Sequence, residues 1–313
     1  MIALYSADLT PTAPFRFDLA LQYLRTSPSA VVEQVRDGAY LRAIRIESRT
    51  VGLRVSSGGT AEQPRLLVEV LGEEARAADL PVALALARRV FATDAAVDGL
   101  DAVAEADPVF GRLVHAYRGL RPIVIPDPFE AIAWAIIGQQ INISFAAKMK
   151  RALVDRFGST VELDGIILPV FPPPACVALL EHERDLLPIQ FSRQKSRYCI
   201  ALARAVSAGE LDLGAVAALP DEEAIAALMV LPGIGRWTAE YALMRAFGRP
   251  DVMPAGDGGL KQIIGRDYGL GRLATEAEIR ALGEKWAGWR GYAAFYWWFQ
   301  LQEERRPVPP SRD

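Results

Sequence analysis

Residues 231–235 read Leu-Pro-Gly-Ile-Gly, between one helix-like stretch that ends near Val230 and another that begins at Arg236. Gly233 and Gly235 permit positive φ and close approach, and the helix after them would start with unpaired backbone N–H groups pointing outward. Such a terminus can hold a phosphate, although the bare pattern also suits a plain turn between two helices. Twenty residues after Trp237 comes Asp257, in the stretch PAGD that precedes another expected helix start. A carboxylate there can simply cap the helix. A cap held rigidly can also turn its free oxygen to a cleft, where it would stabilise positive charge. Aromatic residues are the third signal, since five of the six Trp lie between positions 237 and 298. Along 286–299, Trp289, Tyr292, Phe295, Tyr296, Trp297, Trp298 and Phe299 fall on every side of a helix, so some are expected to line a cleft or an interface.

Those residues need a scaffold, and the chain is long enough to build one. Its 313 residues are 51% apolar and 23% charged, as in a globular protein of two or three domains. No apolar run approaches a membrane span, and the start MIALYSADLT lacks the basic and apolar pattern of a signal peptide, so a cytoplasmic protein is expected. Two cysteines, Cys176 and Cys199, and two histidines, His115 and His182, leave no cluster for zinc or iron–sulfur chemistry; they read as apolar fillers and as structural or surface residues. A net charge of −3 argues against coating nucleic acid by bulk positive charge, but allows a local basic face. Lys148, Lys150, Arg151, Arg193, Lys195, Arg197, Arg236 and Arg245 could supply one, though each alone also fits a solvated helix face.

Two regimes divide the chain. Residues 1–108 are expected to be α+β: Val51, Leu53 and Val55, then Leu66, Val68 and Val70, alternate at the period of strands, with SSGGTAEQP as a hairpin loop. Helices flank them at 17–24, from the spacing of Phe17, Ala20, Leu21 and Leu24, and at 80–91, with Pro81 in the first turn. Residues 109–313 are expected to be all-helical in two lobes, broken by Pro and Gly, with IILPVF (166–171) the longest strand signal. The Pro-rich tail 305–313 is expected to fray.

LPGIGRWTAEY (231–241), PAGD (254–257) and the aromatic helix together resemble the helix–hairpin–helix DNA glycosylase superfamily, and within it the bacterial 3-methyladenine DNA glycosylase II branch. PDPFEAIAWAIIGQQINISFAAKM (126–149) is similar to the segment of that branch in which a GQQ turn faces DNA. The resemblance implies a TATA-binding-protein-like N-terminal domain followed by the glycosylase domain. It places the catalytic aspartate on Asp257. Leu231, Gly233, Ile234, Gly235 and Arg236 fall at its DNA-binding hairpin, where backbone carbonyls of Met229, Leu231 and Ile234 would hold a monovalent cation, Na+ or K+. Trp237 stands where lyase members carry a Schiff-base lysine. Tyr241 and Trp298 match base-pocket positions, Tyr23 matches an N-terminal aromatic that closes the pocket, and Gln139 and Gln140 fall at the DNA-facing turn. Gln140 takes the place of the side chain that fills the gap left by a flipped nucleotide, a polar residue where a bulky apolar one is usual. Gly258 and Gly259 replace larger residues after the aspartate, which would open the pocket.

The same resemblance implies a monofunctional enzyme acting on double-stranded DNA that contains alkylated bases. It would work as a monomer, without an organic cofactor, and leave an abasic site. Electron-rich Trp and Tyr faces would attract cationic N-alkylated purines by contacts worth about 0.5–2 kcal/mol. A bifunctional glycosylase and lyase would need an amine at the hairpin, and the nearest lysine is Lys261. A module that binds DNA through the hairpin without catalysis is the other alternative.

Overall fold

The computed structural model describes residues 3–163 and 165–305. An antiparallel sheet organises the N-terminal part, in the order β1 (Ala3–Leu9), β5 (Leu66–Gly72), β4 (Arg49–Ser57), β3 (Ala39–Ile46), β2 (Glu33–Arg36). The two strands read from their alternation pair as expected, Leu53 opposite Val70 and Val55 opposite Val68. Strand β1 was not expected. An edge strand takes its hydrogen bonds from β5 whatever its own pattern, and Leu4 is left 54% exposed. Helices α1 (Phe17–Thr26) and α2 (Leu80–Phe91) flank the sheet, α1 with Phe17, Leu21 and Leu24 buried and α2 with Pro81 in its first turn.

Twelve more helices come after these among the described residues: α3 (Asp98–Ala106), α4 (Pro108–Ala116), α5 (Pro128–Gly138), α6 (Ile143–Phe157), α7 (Pro174–Ala178), α8 (Arg193–Ser207), α9 (Leu213–Ala218), α10 (Asp221–Met229), α11 (Arg236–Arg245), α12 (Gly258–Asp267), α13 (Glu276–Gly283) and α14 (Arg290–Glu304). Their starts carry the expected chemistry. Asp107 and Asp127 accept first-turn amides ahead of Pro108 and Pro128, Asn142 caps α6, and Thr275 forms a capping box with Glu278. Two cores result. In one, the sheet and α1–α4 pack with the returning α12–α14; in the other, α5–α11 pack among themselves. The helical part is therefore two-lobed, and its last helices close on the N-terminal domain.

One departure from an all-helical second part is the hairpin β6 (Ser159–Leu163) and β7 (Ile166–Val170), whose second strand is the IILPVF signal. It covers the outer face of the sheet, where Leu41 and Ala43 pack against Leu163, Leu168 and Val170. Gly52 makes this possible, because a Cβ there would come 1.9 Å from Leu163 Cδ1. A sheet with two apolar faces needs two covers, and only folding shows which segment supplies the second.

A second departure concerns α14. Tyr292, Phe295, Tyr296, Trp297 and Phe299 are each 3% exposed or less, so the rings on most sides of the helix are core after all. The helix is central, with α1, α4 and α12 around it, and an interior helix can be apolar on all sides. Trp289 is half-buried against the start of α3, near Gly99, and Trp298 is half-buried with its Nε1 directed at Asp257. The tail from residue 306 onward lies outside the described residues.

Buried charges join the two parts. Glu130 on α5 accepts hydrogen bonds from Arg42 of β3 and from Lys150 of α6, the latter at 2.6 Å, and Arg42 also holds Glu33 at 2.6 Å. Burial alone would push the Glu130 carboxyl up, but Arg42 and Lys150 outweigh it and hold the pKa below its ordinary value. No helix among the described residues is long and apolar enough to cross a membrane.

Candidate active site

Three segments meet at the N-terminal end of α11. The first is the hairpin. Gly233 adopts φ +85°, and a Cβ there would lie 2.1 Å from the ring of Tyr198 on α8, so only glycine fits. Ile234 is buried and its amide donates to the Leu231 carbonyl at 3.2 Å, which anchors the turn. Gly235 is the N-cap of α11 and has no side chain to satisfy the first-turn amides; it is exposed, as are Pro232 and Arg236. These amides form a place for an anionic group.

The second is the turn after α5. Gln139 Nε2 donates to the Gly233 carbonyl at 2.8 Å and to Thr238 Oγ1 at 3.0 Å, so this side chain points inward and ties the turn to the hairpin. Lys195 Nζ donates to the Ile137 carbonyl at 2.6 Å and fixes the same turn from α8. Gln140 is exposed at the apex with φ +56°, in the left-handed region that few side chains adopt.

The third is the loop to α12. Asp257 Oδ1 accepts from the Leu260 amide at 2.9 Å, as an N-cap, and from Trp298 Nε1 at 3.0 Å. Oδ2 accepts no hydrogen bond among the described residues and remains available. Capping and an available oxygen therefore coexist. A Cβ at Gly256 would lie 3.2 Å from Trp237 Cβ, so the loop sits directly on the start of α11. Around Gly258 the space is open, whereas a Cβ at Gly259 would come 3.1 Å from both Asp257 Oδ1 and Leu301 Cδ2. Of the two glycines expected to widen the pocket, Gly258 leaves room and Gly259 permits close packing.

Trp237, Tyr241 and Trp298 form a continuous aromatic wall beside the carboxylate, with ring centroids 5.8 Å apart at each step. Trp237 and Trp298 are half-buried, and Tyr241 is 7% exposed, with burial pushing its hydroxyl pKa well above the ordinary value. Tyr23 is packed in the interior beside this wall. It is 4% exposed, packs on Phe295 at 4.6 Å, and its hydroxyl accepts from Arg245 Nη1 at 2.5 Å. It is linked to Tyr241 through Arg245, which lies over both rings.

Several basic residues named for phosphates are committed elsewhere. Lys150 is buried on Glu130, Lys195 on the Ile137 carbonyl and Arg245 on Tyr23. Arg236 is 45% exposed but spans Glu222 at 2.6 Å and Glu240 at 2.9 Å, bracing α10 against α11. Arg280 joins it on Glu240, whose carboxyl burial raises despite both guanidiniums. Lys148, Arg151, Arg193 and Arg197 are exposed and make no salt bridge among the described residues. Interior positions explain the difference: α6, α8 and α11 each turn one face into the second core. The sequence reading missed Thr238 and Tyr198, which support the hairpin; the small and aromatic types carry no signal without their neighbours. No group of His, Cys, Asp or Glu that could hold a metal ion occurs among the described residues.

Comparison with known proteins bears on the fold and the family. The family described as HhH-GPD superfamily base excision DNA repair protein matches residues 133–288, and the AlkA N-terminal domain matches residues 7–126. A DNA-3-methyladenine glycosylase of Bacillus subtilis (strain 168) is 38% identical over 196 residues, 63% of this chain and 64% of that protein, so the match spans just under two thirds of the relative. Among solved structures, a 3-methyladenine DNA glycosylase from Archaeoglobus fulgidus superposes with a TM-score of 0.83 at 24% identity, covering 95% of this chain and 98% of that one. A Schizosaccharomyces pombe 3-methyladenine DNA glycosylase in complex with abasic DNA is 30% identical, with a TM-score of 0.52, 63% of this chain and 92% of that one being covered. With a sheet domain of the AlkA type before it, and the hairpin and the capped aspartate within it, the chain belongs to the HhH-GPD superfamily of base excision DNA repair proteins.

Proposed function

We propose that this protein is a monofunctional DNA glycosylase that extrudes alkylated purines from double-stranded DNA and hydrolyses the N-glycosidic bond. The observation that carries this is the Asp257 carboxylate, fixed through Oδ1 by a backbone amide and by Trp298, with Oδ2 unengaged and an aromatic wall alongside.

A base inside a duplex is beyond the reach of a carboxylate, so the nucleotide must first leave the stack, at a cost of a few kcal/mol that is lowest for a damaged pair. The uncapped amides after Gly235 hold a backbone phosphate, and exposed Gln140 enters the gap. Gln139 keeps the two elements in register. The extruded base stacks on Trp237, Tyr241 and Trp298, whose faces favour an electron-poor alkylated ring. As the bond from C1′ to nitrogen breaks, the electron pair leaves with the base and positive charge builds on the sugar. Asp257 Oδ2 stabilises that charge and orients the water that adds to C1′, and the proton that water gives up balances the product. Trp237 supplies no amine, so no Schiff base forms and an abasic site remains.

A monovalent cation suits the hairpin carbonyls: those of Met229, the last residue of α10, and of Ile234, in the turn, accept no backbone hydrogen bond among the described residues, while that of Leu231 is shared with the Ile234 amide. Such an ion would reinforce the positive end of α11 toward a phosphate. Incubation with duplexes that carry 3-methyladenine, 7-methylguanine, hypoxanthine or uracil, with free base measured, tests the proposal. Release of alkylated purines with intact abasic strands is expected. DNA binding with no base released would leave a binding module, and strand cleavage at the lesion would favour the lyase alternative.

A further inference from the structure

Trp237, Tyr241 and Arg245 follow one another at i, i+4 and i+8 along α11, so Arg245 lies one turn behind the aromatic wall. Its side chain is deep in the protein, the residue being 3% exposed. The guanidinium carbon stands 5.3 Å from the ring of Tyr23, 5.5 Å from Phe295 and 6.0 Å from Tyr241. Nη1 donates to the Tyr23 hydroxyl, while Nε is buried without a partner. Arg245 makes no salt bridge among the described residues. A guanidinium does not lose its proton in a protein, so a full positive charge sits over the Tyr241 ring with no carboxylate paired to it, Glu33 reaching it only through space. That is costly for stability, and rings alone do not require it.

We propose that Arg245 is a specificity-determining residue of the base site. Its charge opposes a cationic base stacked in front of Tyr241 and narrows the advantage of N-alkylated cationic purines over neutral purines such as hypoxanthine. This rests on the base-release reading above. The ring face that Tyr241 offers is already polarised toward Arg245, so a second cation gains less from it. A cationic base stacked on the opposite face of the ring would bring its charge to on the order of 10 Å from the guanidinium, close enough in a partly desolvated site for an effect of about tenfold. Neutral bases feel neither term, and the site becomes tolerant of them.

The test is the ratio of single-turnover release of 7-methylguanine to that of hypoxanthine, each placed opposite thymine, in wild type and in Arg245→Met, Arg245→Gln and Arg245→Lys. Dividing each variant's ratio by that of wild type cancels the intrinsic lability of the two bonds. The neutral variants should raise the ratio about tenfold, and Lys should leave it within about twofold. An unmoved ratio in Met and Gln, or an equal rise in Lys, overturns the role of Arg245. If no protein, wild type included, releases either base, the glycosylase reading itself fails. Should the neutral variants not fold, binding of wild type to duplexes with 2′-fluoroarabino 7-methylguanine or hypoxanthine decides. Dissociation constants within about threefold are expected, and a cationic duplex bound ten times tighter or more refutes the proposal.

Discussion

Replacing Asp257 by Asn separates the two tasks of this side chain. Asn ranks with Asp as an N-cap, and its amide oxygen can keep both donors that Oδ1 now accepts, the Leu260 amide and Trp298 Nε1. What changes is Oδ2, which becomes a neutral N–H2 group facing the sugar. Loss of the charge at the α12 N-terminus costs about 0.3–1 kcal/mol, or a fall in Tm of up to about 4 °C for a chain of this size. Chemistry loses far more. A carboxylate oxygen about 4 Å from the developing positive charge, at an effective dielectric constant of about 20, contributes about 4 kcal/mol. That is roughly a thousandfold in rate. The assay is single-turnover base release from a 7-methylguanine duplex, with DNA affinity and thermal melting measured on the same preparation. Affinity near wild type, a small fall in Tm and a rate down about a thousandfold are expected. A folded variant that releases base within about tenfold of wild type would refute the charge-stabilisation argument and reduce Asp257 to a cap.

Four further outcomes are expected. Borohydride added during turnover should trap no covalent protein–DNA adduct, because Trp237, in the first turn of α11 after the hairpin, carries no amine; stoichiometric trapping would reverse this. Trp298→Phe should slow release about 10- to 100-fold by removing the N–H that fixes Asp257, and Trp298→Ala should slow it further through loss of the stacking face; equal rates for Phe and wild type would show that the hydrogen bond is idle. Glu130→Gln should destabilise the fold by about 3–5 kcal/mol, read by urea unfolding, since it leaves Lys150 without a paired carboxylate in the interior and Arg42 with Glu33 alone. Arg49 holds the Asp79 carboxyl down at about 2, so its folded pKa is depressed and its contribution is present above the unfolded value of about 3.9. That contribution should fade as pH falls from about 4 through 2, and the stability gap between wild type and Asp79→Asn should shrink over that window in urea melts; a gap constant with pH would contradict it.

Local chemistry made much of this protein legible in one dimension. The LPGIG turn needs glycine at a positive φ, Asp257 needs to precede a helix start, and strands β4 and β5 need alternation; each is a constraint between residues a few positions apart, so the sequence carries it directly. Trp237 and Tyr241, one turn apart on α11, belong to the same class. Tertiary structure decided what lies across the cores. The pairing of Trp298 with Asp257 joins residues 41 positions apart, and only the return of α14 beside α12 creates it. Lys150, Lys195 and Arg245 are polar side chains on helices, and by composition alone they belong on a DNA-facing surface. Each is buried because its helix turns that particular face inward, toward a carboxylate, a carbonyl or a set of rings, and half-buried Gln139 in the turn after α5 points inward to the hairpin in the same way. The rings of α14 carry the same lesson in reverse: an all-round aromatic pattern suggests a cleft when one helix is considered alone, and becomes core once three other helices surround it. Periodicity identifies a face. Which partner covers that face depends on contacts between segments hundreds of residues apart, and these are set by the packing of the whole chain.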